Sequence, residues 1–147
     1  PEMLKLGVRV GLAVDGSASN DGSDLLEELR TGFLLHRLNS SSAAPTGYDM
    51  LKIATRGSAS ILGRDDIGQI AEGMAADFFL INMDRLSLTG AQFDVSSMLG
   101  TVGYKGNVDY TVVNGRVVVR EGRLTGVDEE KITAEANQCV SRYLGRS

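Results

Sequence analysis

A chain of 147 residues with 42% hydrophobic and 23% charged side chains can bury a core and has the composition of an ordinary soluble protein. Its net charge of -4, with both signs mixed and no basic stripe, argues against nucleic acid or an anionic membrane as a partner. A single cysteine, Cys139, excludes an internal disulfide and fits a reducing, cytoplasmic location, and no apolar run approaches the ~18 residues of a membrane span.

Pro1 to Leu6 reads as the end of a helix stopped by Gly7. Val8 to Val14 is short, apolar and β-branched, like a strand covered on both faces in a parallel sheet, and Asp15 stands at its C-terminal end before the small-residue loop Gly16 to Gly22. Asp24-Leu25-Leu26-Glu27 has capping-box spacing, and Leu25, Leu29 and Phe33 recur on one face, which predicts a helix over Leu25 to Leu38. Gly32 inside it costs about 1 kcal/mol relative to alanine and so implies close packing on a neighbour. Asn39 to Pro45 reads as a connection. Thr46-Gly47-Tyr48-Asp49 then caps a second helix over Met50 to Leu62, with Gly63 as the left-handed residue beyond its end. Gly57, Ser58 and Ser60 would let that helix lie close to another backbone. From Ile67 the period shifts toward strands, Ala76 to Asn82 being the clearest, and Asn114-Gly115 between valine-rich runs predicts a type I′ hairpin. Ile132, Ala136, Cys139, Val140, Tyr143 and Leu144 fall along one stripe, which predicts a helix over Asp128 to Leu144 docked on the sheet with the cysteine in the core.

The end of a strand in a (β/α) barrel is where chemistry is done, because the strand fixes the side chain while the next loop closes over it. Asp15 there suits a metal ligand or a general base, and equally suits a carboxylate bonding the amides of its own turn. The loop Gly16 to Gly22 precedes a helix, as phosphate cradles do, but matches neither the dinucleotide fingerprint nor the P-loop. Ser17 and Ser19 lack a base, since the only histidine, His36, lies well inside another element. Asp65, Asp66, Asp128, Glu129 and Glu130 fall in loops and at a helix start, where negative charge suits the dipole. No Cys/His cluster has zinc spacing, so no closed structural metal site is expected.

Val10-Gly11-Leu12-Ala13-Val14-Asp15-Gly16-Ser17-Ala18-Ser19-Asn20-Asp21 resembles the last barrel strand and loop of the amidohydrolase superfamily, in its branch of 8-oxoguanine deaminases and triazine chlorohydrolases. Two further blocks, Ala54 to Asp77 and Val108 to Val119, resemble that family's passage from barrel to accessory β domain and its closing hairpin. Met74, Arg56 and Ser58 depart from the common pattern.

The resemblance implies an α/β fold: the last strand and helices of a metal-dependent (β/α)8 barrel over residues 1–66, then part of an accessory β-sandwich domain with a C-terminal helix over 67–147. A whole barrel takes about 250 residues, so the chain is expected to be the C-terminal third of a larger enzyme and inactive alone. The implied activity is hydrolysis of C–N bonds in a cyclic amidine, with a guanine-like or 8-oxoguanine-like ring deaminated. The alternatives are a triazine chlorohydrolase or aminohydrolase of the same superfamily and a small non-catalytic α/β module. The implied cofactor is zinc, or iron in some members. Asp15 matches the carboxylate that touches the metal and carries a proton from water to departing ammonia. Ser17, Asn20 and Asp21 match the loop that shapes the substrate pocket, and the other ligands are histidines outside this chain. A small heterocyclic substrate and a homo-oligomer of the complete enzyme are expected, without nucleic acid or membrane.

Overall fold

The structure, a computed structural model, describes residues 1–145. Local chemistry decides where its helices begin. After the short α1 (Glu2–Lys5), helix α2 (Leu25–Ser40) starts where Asp24 Oδ1 accepts the Leu26 and Glu27 amides at 2.9 and 3.2 Å. Helix α3 (Gly47–Lys52) starts at a complete capping box: Thr46 Oγ1 accepts the Asp49 amide at 3.1 Å, and the Asp49 carboxylate accepts the Thr46 amide at 3.0 Å. It runs directly into a π-helical segment, Ile53–Gly57, and then α4 (Ser58–Ile61). The helix expected over Met50 to Leu62 is thus present, but it starts at Gly47 and is widened at its middle. Gly63, at φ +67°, follows its end as anticipated.

Hydrogen bonds from the Lys52 ammonium, first, and then from the Thr46 hydroxyl and amide hold the Asp49 carboxyl down at about 2. Because the folded-state value is depressed, this stabilisation is complete above the ordinary carboxylate value of about 3.9 and is lost as pH falls through about 2. Thermal melts taken from pH ~5 to ~2 should therefore drop less steeply in Asp49→Asn than in the parent. Parallel pH profiles for the two proteins would remove Asp49 as a source of acid sensitivity.

Helices α2 and α3 pack on each other and on α5 (Met98–Thr101). Their shared core is Leu29, Phe33, Met50, Leu88, Ala91, Met98, Leu99 and Tyr104, with Leu12, Leu26 and Ile53 packed against it. Gly32 lies against the Met50 methyl group, as its place in the helix required, and a Cβ on Gly47 would overlap the Ser97 carbonyl. Leu25, expected on the apolar face, is 42% exposed. The surfaces of α3 and α5 meet the side of α2 that carries Leu26, Leu29 and Phe33, so Leu26 takes its place.

Among the described residues four antiparallel strands follow in the order β1 (Phe78–Leu80), β2 (Tyr110–Val113), β3 (Arg116–Arg120), β4 (Arg123–Leu124). Asn114 and Gly115, at φ +47° and +77°, make the expected turn and pair Val113 with Arg116. Asp77 Oδ1 accepts the Asn114 amide at 2.6 Å, and Asp109 accepts the Asn82 amide at 2.7 Å and Arg85 Nη2 at 2.6 Å. These carboxylates fasten both ends of β1 to the hairpin.

Two expectations are not met within this chain. Val8 to Val14 carries no sheet ladder, because a strand needs neighbours for its N–H and C=O groups and no described strand lies beside it. Helix α6 (Glu129–Tyr143) does not dock on the sheet: none of its residues is buried, Tyr143 is 90% exposed, and Cys139 is exposed rather than in the core. An apolar stripe shows that a helix has a face to bury, not that this sheet covers it. Among the described residues the first turn of α6 is fastened where Glu129 Oε1 accepts the Leu124 amide at 2.7 Å. Among the described residues no helix is long and apolar enough to cross a membrane.

Candidate functional site

The site starts where residues 8–14 run against the widened helix. A Cβ on Gly57 would overlap the Val10 carbonyl oxygen, and one on Gly11 would sit 2.8 Å from Ser58 Oγ, so two glycines allow backbone contact here. Ser58 Oγ accepts the Leu12 amide at 3.1 Å, and Arg9 Nη1 donates to the Ser60 carbonyl at 3.2 Å. These bonds hold residues 8–14 to the helix and fix the approach to Asp15.

Asp15 is left-handed, with φ at +64°. Aspartate and asparagine tolerate that region better than other non-glycine residues. Its Oδ1 accepts the Gly16 amide at 2.8 Å and its Oδ2 accepts the Ser19 hydroxyl at 3.0 Å. The Ser19 and Asn20 amides turn back onto the Gly16 carbonyl at 2.9 and 3.0 Å and close the loop. The carboxylate therefore does bond an amide of its own turn. It also stays exposed, and each oxygen keeps a further lone pair for a ligand or a proton. With Asp15 on the Gly16 amide, the loop presents negative charge at its start and does not form a phosphate cradle.

Asn20 is half-buried and its amide is committed: Nδ2 donates to the Val14 carbonyl at 2.9 Å and to Glu28 Oε1 at 2.7 Å, and Oδ1 accepts the Gly22 amide at 2.9 Å. Ser17 and Asp21 are exposed on the same loop. The structure thus pairs Asp15 with Ser19 and Asn20 with Glu28, and ties both pairs to the backbone of residues 14–16. Glu28 and Ser19 were not singled out as site residues; for Glu28 the available sign was its place on the first turn of α2, one turn beyond the capping Asp24. His36 lies farther along α2, half-buried.

A catalytic zinc typically takes three protein ligands and a water. The described residues hold no group of three His, Cys, Asp or Glu side chains able to bind a metal.

Residues 1–118 match the Amidohydrolase family. Hydroxydechloroatrazine ethylaminohydrolase of Pseudomonas sp. (strain ADP) is 44% identical over 98% of this chain and 31% of its own length. 5-Methylthioadenosine/S-adenosylhomocysteine deaminase of Pelotomaculum thermopropionicum is 38% identical over 99% of this chain and 34% of its length. 8-Oxoguanine deaminase of Pseudomonas aeruginosa is 36% identical over 97% and 31%. Among solved structures, atrazine chlorohydrolase from Arthrobacter aurescens complexed with zinc superposes with a TM-score of 0.86 at 37% identity, over 93% of this chain and 31% of that one. The chain spans about a third of the length of the curated relatives it matches.

Proposed function

The chain belongs to the amidohydrolase family, and from that premise we propose that the complete protein is a zinc-dependent aminohydrolase that breaks a C–N bond of a guanine-like or 8-oxoguanine-like ring. The observation that carries this reading is the Asp15 carboxylate, held by an amide and a hydroxyl in a left-handed turn yet open on its outer side. When bound, zinc would be held by Asp15 together with donors outside this chain and would supply the Lewis acidity that activates the attacking water. Asp15 takes a proton from that water and hands it to the departing amine, which leaves as a neutral molecule only when protonated. Ser17 and Asp21 border the substrate on the outside of the loop, and Asn20 shapes the pocket from behind. In the same reading residues 1–66 form the barrel end and 67–147 the accessory β portion with its terminal helix. All four strands among the described residues lie in the second part.

The likeness to the chlorohydrolase structure favours a second reading, in which the ring loses chloride. The two differ in their need for a proton, because chloride leaves as a stable anion. The complete zinc-loaded enzyme, offered 8-oxoguanine, guanine and a pair of triazines differing only in an amino or chloro substituent, should release ammonia or amine at least about 10²-fold faster than chloride. Chloride release at an equal or higher rate would establish the second reading instead.

A further inference from the structure

We propose that Asn20 and Glu28 are positioning residues for Asp15, acting through the peptide that joins Val14 to Asp15. The inference rests on the reading of Asp15 as the proton carrier. Asn20 spends its two N–H groups on the Val14 carbonyl and Glu28 Oε1, and its oxygen on the Gly22 amide. Only one orientation of the amide closes all three bonds. Turned over, its oxygen would face a carbonyl and a carboxylate, while its nitrogen would face an N–H donor. Glu28 thereby selects the orientation in which Asn20 holds the Val14 carbonyl.

That carbonyl opens the peptide leading into the strained φ of +64° at Asp15. Left-handed backbone at a non-glycine residue persists where its surroundings over-determine it. Here the bonds come from both directions: Asp15 reaches forward to Gly16 and Ser19, while Asn20 reaches back to Val14 from the far end of the same loop. Glu28 stands on α2, whose face carries Leu29 and Phe33 into the core. The relay therefore references the carboxylate to a helix anchored in the core by Leu29 and Phe33 rather than to the loop alone. Neither Asn20 nor Glu28 needs to touch substrate for this. A misplacement of about 1 Å at a reacting group costs on the order of 10²-fold in rate.

The test uses the complete zinc-loaded enzyme with Asn20→Asp, which keeps shape but removes the donor, together with Glu28→Ala and Glu28→Gln, the last retaining an acceptor for Asn20. For each, kcat, KM, zinc bound per chain, the zinc concentration at half-loading and the melting temperature are measured. The expected result is a fall in kcat of about 10- to 100-fold in Asn20→Asp and Glu28→Ala, with KM nearly unchanged, weaker zinc loading, and near-complete rescue in Glu28→Gln. Should Asn20→Asp not fold, Glu28→Ala against Glu28→Gln carries the comparison. A lowered melting temperature with normal kcat per zinc-loaded molecule would make the relay merely structural. Raised KM with normal kcat would make Asn20 a substrate contact. Either result overturns the proposal. Asp15→Asn, run alongside, separates the two levels: if it too keeps normal turnover, the reading of Asp15 has failed, and if it alone loses turnover, only the relay has.

Discussion

In the complete enzyme, Asp15→Asn should lower turnover by about 10² to 10⁴ while leaving the melting temperature nearly unchanged. Asparagine is the informative replacement because it keeps the amide bond of the loop and can donate to Ser19 Oγ, whose hydroxyl then turns to the Gly16 carbonyl 3.1 Å away. It adopts the left-handed backbone as readily as aspartate, and its side-chain oxygen still accepts the Gly16 amide now bound at 2.8 Å. What it loses is the charge, the ability to take a proton and the quality of a metal ligand. Asp15→Ala removes the loop bonds as well and puts an ordinary side chain at φ +64°, so it should cost an additional ~1–2 kcal/mol for the backbone and ~1 kcal/mol for each lost bond. Turnover per bound zinc, with a melt on the same sample, distinguishes the cases. Full turnover in Asp15→Asn at normal zinc content would leave Asp15 a loop cap and nothing more.

Gly57→Ala should destabilise the protein by about 1–3 kcal/mol, against the direction that helix propensity alone would give. In an isolated helix the change gains about 1 kcal/mol. In this fold a methyl group at position 57 overlaps the Val10 carbonyl oxygen, which belongs to backbone and cannot swing aside as a side-chain end can. Relief requires residues 8–14 to move away from the helix, and Asp15 moves with them. The denaturation midpoint should fall and turnover with it. A raised midpoint would show that the segment is not held at Gly57.

What was legible in the sequence was mostly chemistry confined to a few adjacent residues. Thr46 and Asp49 form their box, Gly63 ends its helix, and Asn114-Gly115 makes its turn, because each depends on backbone preferences and bonds within one turn. What was not legible depends on distant partners. The π-helical widening at Ile53–Gly57 accompanies the contact with Val10, some forty-seven positions before Gly57, and no periodicity announces it. Leu88, Ala91, Met98 and Leu99 enter the core through turns too short to carry a repeating pattern. Of the bonded residues, Asp15 was singled out by its place after an apolar run. Glu28 was not, since its meaning comes only from Asn20 facing it across the loop.

Helix α6 is fastened at its first turn and exposed along its length. Its helical state draws on Asp128 at the start, acidic residues in the first turn and Arg142 in the last, but on no buried side chain. A helix of about 15 residues supported only by such local terms is close to the balance point between helix and coil in water. Unwinding can therefore begin at Tyr143 and travel back toward Glu129 without exposing Leu29, Leu88 or any other core residue. Within this chain taken by itself, α6 is thermodynamically a separate unit, and a stability measured at the core would carry almost no information about it.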